Sequence, residues 1–139
     1  AIRLGKSETL VQGTEIAIIA LGERVTTAME IREILPQFSF TIINARFVKP
    51  LDEEMLLNCA RHHHHIYTME DHVRSGGFGS AVMEFLSDKN LSAKVHIFAW
   101  PDKFIPHGSR VEDLEKMFHF TVEDMAAKIK SDQESSVEN

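Results

Sequence analysis

YTMEDHVRSGGFGSAV, Tyr67 to Val82, carries the reading that decides the fold: an apolar strand from about His65 to Glu70 runs into a glycine-rich turn and a helix start built of small residues. A strand that ends in such a turn and restarts as a helix belongs to an open α/β sheet. Glu70 then lies at the strand's carboxyl end, where these sheets place ligands and partner surfaces. Gly76, Gly77 and Gly79 permit positive φ and close backbone approach, and Phe78 between them is the first large apolar residue after the turn. Ser80 and the unpaired amides before it begin the helix.

Working outward, Ile16 to Leu21 (IAIIAL) is a continuous apolar run of the kind buried on both faces of a parallel sheet, and Gly22 ends it. Val25 to Leu35 follows at helical spacing, with Thr26 or Thr27 as the expected cap and Pro36 as the stop. Phe40 to Ala45 is a second strand, after which Pro50, Leu51 and the acidic run from Asp52 to Glu54 open another helix. A helix from about Gly79 to Leu86 leads to a fourth strand from about Ala93 to Ala99. Ser7 to Gln12 adds an edge strand in the opposite direction.

This βαβαβαβ order, with crossovers long enough for right-handed parallel connections, predicts an open α/β fold of three layers, α/β/α. Ser109 with Glu112, and Thr121 with Asp124, carry the spacing of helix-capping pairs. Residues 1–130 read as one domain, and residues 131–139, polar and mostly acidic, as a flexible tail.

With 139 residues the chain suits a single core. Its 15 basic and 21 acidic residues give a formal charge of −6, which repels a phosphate backbone, so nucleic acid is not an expected partner. The longest apolar run is far below the ~20 residues that cross a bilayer, and no membrane partner is expected. The start lacks the apolar core of a secretory signal, which favours a reduced, cytoplasmic setting. Ala1 in place of an initiator methionine is compatible with processing or with a segment of a longer polypeptide. Cys59 cannot form an internal disulfide alone, and its setting in LLNCA predicts the buried face of a helix rather than a nucleophile.

The run His62 to His65 suggests a metal site, but adjacent residues point in different directions, and a half-exposed turn is the simpler reading. No metal ligands are assigned. Glu70, Asp71 and His72 suggest proton transfer, yet no nucleophile accompanies them; loop anchoring, with Glu70 and Asp71 accepting hydrogen bonds from the turn, is the better expectation. The glycines match neither GxGxxG nor GxxxxGK[ST], although a helix amino terminus there remains open to a carboxylate or phosphate. His107 and Arg110, in the HGSR turn, form a second candidate anion or interface site. Trp100, Phe104 and Ile105 are apolar enough to bury against neighbouring structure or a partner subunit.

Together, EIAIIALG (Glu15 to Gly22), NARFVKPLDEEML (Asn44 to Leu56), YTMEDHVRSGGFGSAVMEFL (Tyr67 to Leu86) and WPDKFIPHGS (Trp100 to Ser109) resemble the carboxyl-terminal domain of transketolase-like thiamine diphosphate enzymes, specifically the 1-deoxy-D-xylulose-5-phosphate synthase family. The resemblance covers roughly Arg3 to Phe118 and implies a mostly parallel five-stranded sheet with one antiparallel edge strand, with which the Ser7 to Gln12 strand and the four stronger strands agree. It implies a parent transferase that condenses pyruvate with glyceraldehyde 3-phosphate, with loss of carbon dioxide, for isoprenoid and thiamine supply. Thiamine diphosphate and magnesium serve that reaction, held by upstream pyrimidine-binding and diphosphate-binding domains of the same chain, which forms a homodimer. The chain lacks the family's GDG and downstream asparagine, so the resemblance implies no cofactor and no catalytic residue in this segment, and a structural, dimer-forming role. A noncatalytic assembly module, or a subunit of a split transketolase or 2-oxo-acid dehydrogenase, is the alternative.

Overall fold

The computed structural model describes residues 3–102 and 108–138. In chain order the elements are β1 (Glu8–Val11), β2 (Ile16–Ala20), α1 (Arg24–Ile34), β3 (Phe40–Asn44), α2 (Glu53–His62), β4 (His65–Val73), α3 (Phe78–Ser87), β5 (Lys94–Trp100), α4 (Val111–Met117) and α5 (Val122–Glu138). They build a five-stranded sheet of order β1-β3-β2-β4-β5. Strands β2 to β5 pair in parallel and β1 runs antiparallel to β3, with Glu8 opposite Asn44. The expected three-layer fold with an antiparallel edge is therefore the one observed.

Central position explains β2: all of Ile16 to Ala20 are buried because helices cover both faces. Ile16, Ile18 and Ala20 point toward α1 and α5, where Ala28, Ile31, Met125, Ala126 and Ile129 meet them. Ala17 and Ile19 point the other way, toward Leu56 and Cys59 of α2 and Phe78, Val82 and Leu86 of α3. The period of two along the strand thus feeds two separate cores. Each helix answers with a stripe near the helical period, as Arg24, Thr27, Ala28 and Ile31 do on α1.

Helix starts differ from the sequence expectation in two places. Gly22, at φ +64°, turns the chain directly into α1, which begins at Arg24 with no side-chain cap, so Thr26 and Thr27 lie inside the helix. At α4 the amino-terminal flank is Arg110 rather than Ser109, one residue beyond the register in which Glu112 would complete a capping pair, and no side chain caps it. Two other caps form. Asp52 accepts from Met55 N–H at 3.2 Å, and Thr121 Oγ1 accepts from Asp124 N–H at 3.1 Å while its own hydroxyl donates to Asp124 Oδ2 at 2.7 Å.

Burial works to raise the Asp52 carboxyl pKa, but hydrogen bonds from Ser7 and Met55 and the nearby Lys6 ammonium outweigh it and hold the group below its ordinary value. The sequence reading takes residues 131–139 as a polar tail. Residues 131–138 continue α5, and Asp132 and Gln133 both bond to Tyr67 of β4. Those two bonds tie the polar end of α5 to the sheet.

Candidate functional site at the carboxyl ends of the strands

Alternation along β4 sends Tyr67 and Met69 to the α1/α5 face, and Ile66 to the α2/α3 face. Glu70 follows the second set and is wholly buried. Its carboxylate accepts from Phe78 N–H at 2.7 Å through Oε1 and from Gly79 N–H at 2.6 Å through Oε2. Those amides belong to the first turn of α3, where helix geometry leaves N–H groups without intrahelical partners. The anion at this helix start is therefore the chain's own Glu70, favoured there by the helix dipole.

The turn itself is built for close approach. A Cβ on Gly77 would stand 2.3 Å from Glu70 Oε1, and one on Gly79 would stand 2.5 Å from Thr68 Oγ1. Gly76 has open space but a φ of +72°. Phe78 is buried in the core beneath α3. The helix starts two residues before Ser80, whose hydroxyl donates back to the Arg74 carbonyl at 2.5 Å, so Glu70 rather than Ser80 supplies the cap. Ser75 completes the loop, its hydroxyl donating to Asp102 Oδ2 at 2.5 Å.

Asp71 takes a different course from the one expected. Pairing between β4 and β5 shifts register between Met69 and Val73, and Asp71 projects to the α1 side, away from the turn. There it accepts from Arg24 Nε at 2.9 Å. The Arg24 side chain, only 10% exposed, also reaches Glu115 at 3.7 Å and lies 4.4 Å over the Phe120 ring. Trp100 packs on the same ring at 4.7 Å. Glu23, Arg24, Asp71, Trp100, Val111 and Glu115 border an open groove of about 790 Å³.

Arg24 thus joins α1, the end of β4 and α4. Arg24→Met, which keeps the apolar stem, is expected to lower stability by about 2 kcal/mol, roughly half from the partly solvated ion pair and half from the cation–π contact. A urea-denaturation midpoint measures it, and an unchanged midpoint would show that neither contact stabilises the fold.

The second candidate site is only partly within the described residues. Arg110 is well exposed and pairs with Glu112 at 3.8 Å across its own helix start, a contact of little energetic weight. His107, Phe104 and Ile105 lie outside the described residues.

The histidine run separates rather than converging. His62 and His64 are exposed; His63 and His65 are buried, which a half-exposed turn does not predict. His63 Nε2 stands 2.8 Å from Thr41 Oγ1, and its Nδ1 stands 2.9 Å from the Cys59 carbonyl. His65 faces His96 of β5. The change from helix to strand between His62 and His65 aims the rings at different layers. Cys59 is buried on α2, and burial pushes its thiol pKa up to about 12, which suits packing rather than nucleophilic chemistry. The sequence reading missed His65, Tyr67, His96 and Asp132 as a group. Nothing in their spacing announces it, since they come from separate elements.

Comparison with known proteins sets this geometry in context. The chain is 42% identical over 131 residues to 1-deoxy-D-xylulose-5-phosphate synthase of Pelotomaculum thermopropionicum, covering 92% of this chain and 20% of that protein. It is 41% identical over 121 residues to the synthase of Halothermothrix orenii, covering 85% and 19%. The Nitrosococcus oceani synthase is 41% identical over 131 residues, covering 94% and 20%. The chain therefore spans about a fifth of the length of the curated relatives it matches. Among solved structures, a chain described as split gene transketolase, inactive beta4 tetramer, superposes with a TM-score of 0.81 at 28% identity, covering 94% of this chain and 42% of that one. The model of the transketolase C-terminal domain matches residues 5–125, and the chain belongs to that family.

Proposed function

We propose that this chain is the carboxyl-terminal domain of a 1-deoxy-D-xylulose-5-phosphate synthase, a cytoplasmic thiamine diphosphate-dependent transferase that joins pyruvate to glyceraldehyde 3-phosphate with loss of carbon dioxide. The observation that carries the reading is identity of about 42% along nearly the whole chain, combined with a span of only about a fifth of those synthases. In the parent, the domain completes the architecture and the dimer. Upstream pyrimidine-binding and diphosphate-binding domains hold the cofactor and magnesium.

The residues present do not fit that cofactor. The helix start beside the glycine turn, the natural place for a diphosphate, already holds the Glu70 carboxylate. No group of three or more His, Cys, Asp or Glu converges on one point among the described residues. No described helix is long and apolar enough to cross a membrane. The chain's role in the reaction is thus indirect: Glu70 and the turn from Gly76 to Ser80 offer a rigid edge for the neighbouring domains, with Arg110 before α4 as a second candidate contact.

The mass of the native polypeptide, followed through a tag placed after Asn139, tests this reading. A product several times longer than 139 residues that converts pyruvate and glyceraldehyde 3-phosphate supports it. A product close to 139 residues overturns it in favour of a separate subunit, the reading to which the likeness to a split transketolase chain lends weight.

A further inference from the structure

The groove beside Arg24 has a chemistry that selects its occupant. Glu23 at the start of α1, Asp71 near the end of β4 and Glu115 of α4 set three carboxylates around it, against the single guanidinium of Arg24. That guanidinium is already committed. Asp71, Thr27 and Glu115 hold it over the Phe120 ring. A visitor therefore meets carboxylate oxygens rather than the arginine. Asp71 uses Oδ1 on Arg24 and leaves Oδ2 unpaired among the described residues, and the Glu23 carboxylate has no partner among them.

The surface is not only acidic. Val111, 60% exposed, lines the groove together with Trp100, and Val73, 46% exposed, pairs with Trp100 across β4 and β5, so the apolar surface continues past the rim. A contiguous apolar stretch bordered by carboxylates has the form of a protein-binding surface. Its position, at the carboxyl ends of the strands, is where open α/β sheets meet their partners. A phosphate or carboxylate ligand would be repelled by the rim. A bare metal ion finds no group of three or more His, Cys, Asp or Glu converging among the described residues.

We propose that this groove receives a segment of the parent polypeptide's upstream domains that carries a lysine or arginine among apolar residues. The cation stands against Glu23 and Asp71, and its apolar neighbours cover Val111 and Val73. This inference rests on the reading of the chain as one domain of a longer synthase, and it adds where a neighbouring domain docks and by what chemistry. Two observations choose the occupant. The chain spans about a fifth of the synthases it resembles, so a parent of that length has about four-fifths of its residues outside this domain to supply the segment. The excess of carboxylates over cations around the groove is complementary to a basic side chain. A second copy of this chain, with a formal charge of −6, brings net repulsion instead.

Carboxyl labelling of the full-length protein with a carbodiimide and a small amine tests the docking site, with Glu33 of α1 as the internal standard. Glu23 and Glu33 are both exposed in this domain, so a bare groove gives comparable rates, whereas a docked segment is expected to slow Glu23 about tenfold. Glu23→Lys breaks no side-chain contact among the described residues and turns an attraction into a repulsion. It is expected to speed labelling of Asp71 about tenfold, and Glu23→Gln about threefold. Glu23 labelled as fast as Glu33 in a polypeptide several times longer than 139 residues overturns the docking site and leaves the parent reading standing. A slow Glu23 with Asp71 unmoved in both variants overturns the basic occupant, because an uncharged segment then covers the groove. A polypeptide close to 139 residues removes the parent reading, and the proposal with it.

Discussion

Glu70→Ala is expected to destabilise the fold by about 3–5 kcal/mol, since each buried N–H left without a partner costs roughly 1–3 kcal/mol and a helix start loses its charge. The side chain is fully buried, so water does not readily replace it. His72 Nδ1 stands 3.4 Å from Glu70 Oε1 at an exposed position. Some of the loss is offset because a desolvated carboxylate disappears with the residue.

Glu70→Gln separates the contributions. One amide oxygen still accepts from Phe78 or Gly79, whereas the side-chain NH₂ faces the other N–H, so about half of the loss is expected. Denaturant midpoints give the energies. Amide exchange at Phe78 and Gly79 locates them, and unchanged protection there in E70A would remove Glu70 from its role as the turn's anchor. Against a total stability of about 5–15 kcal/mol, the alanine variant stands near the margin of folding.

Gly77→Ala is expected to cost about 2–3 kcal/mol, in the upper part of the range for an overpacked site. Its methyl would fall 2.3 Å from Glu70 Oε1 and 2.7 Å from the Val73 carbonyl, and the second neighbour is backbone that cannot turn aside. The neighbouring Gly76→Ala isolates the conformational effect, because a methyl there meets nothing within 4 Å while φ is +72°. That substitution is expected to cost about 1 kcal/mol. In the double variant Glu70→Ala/Gly77→Ala the two losses should sum to less than their separate values, since removing the carboxylate removes one of the two collisions. Strict additivity in urea melts would place the strain of Gly77→Ala entirely at Val73.

Much of the architecture was legible in the chain because it rests on local periodicity. IAIIAL between a polar flank and Gly22 reads as a doubly covered strand wherever it occurs, and β2 proved to be the central strand. Phe40–Asn44 and Lys94–Trp100 followed the same logic, whereas the antiparallel edge Glu8–Val11 was implied by the family resemblance. The candidate site was legible only as a location. Glu70 at a strand end before three glycines marks the carboxyl edge of the sheet, but adjacent Glu70 and Asp71 look equivalent in sequence. Alternation along β4 sends one beneath α3 and the other to Arg24, 47 residues earlier.

Helix starts and the chain's end were less legible. Ser109 and Glu112 have the right spacing for a capping pair, yet α4 begins one residue later. Residues 131–138 lack an apolar stripe of their own, and composition alone reads them as a tail. Within it Asp132 bonds to Tyr67, 65 residues away, and pairs with Lys128 one turn back.

The sequence by itself determined the order of strands and helices, the glycine turn and the family likeness, because each rests on residues close together in the chain. Tertiary structure alone decided which carboxylate caps α3, where Arg24 anchors and how α5 is held. Those outcomes depend on hydrogen bonds between distant residues, whose donors and acceptors meet only after the sheet has aligned β4 beside β5 and brought α5 across its face.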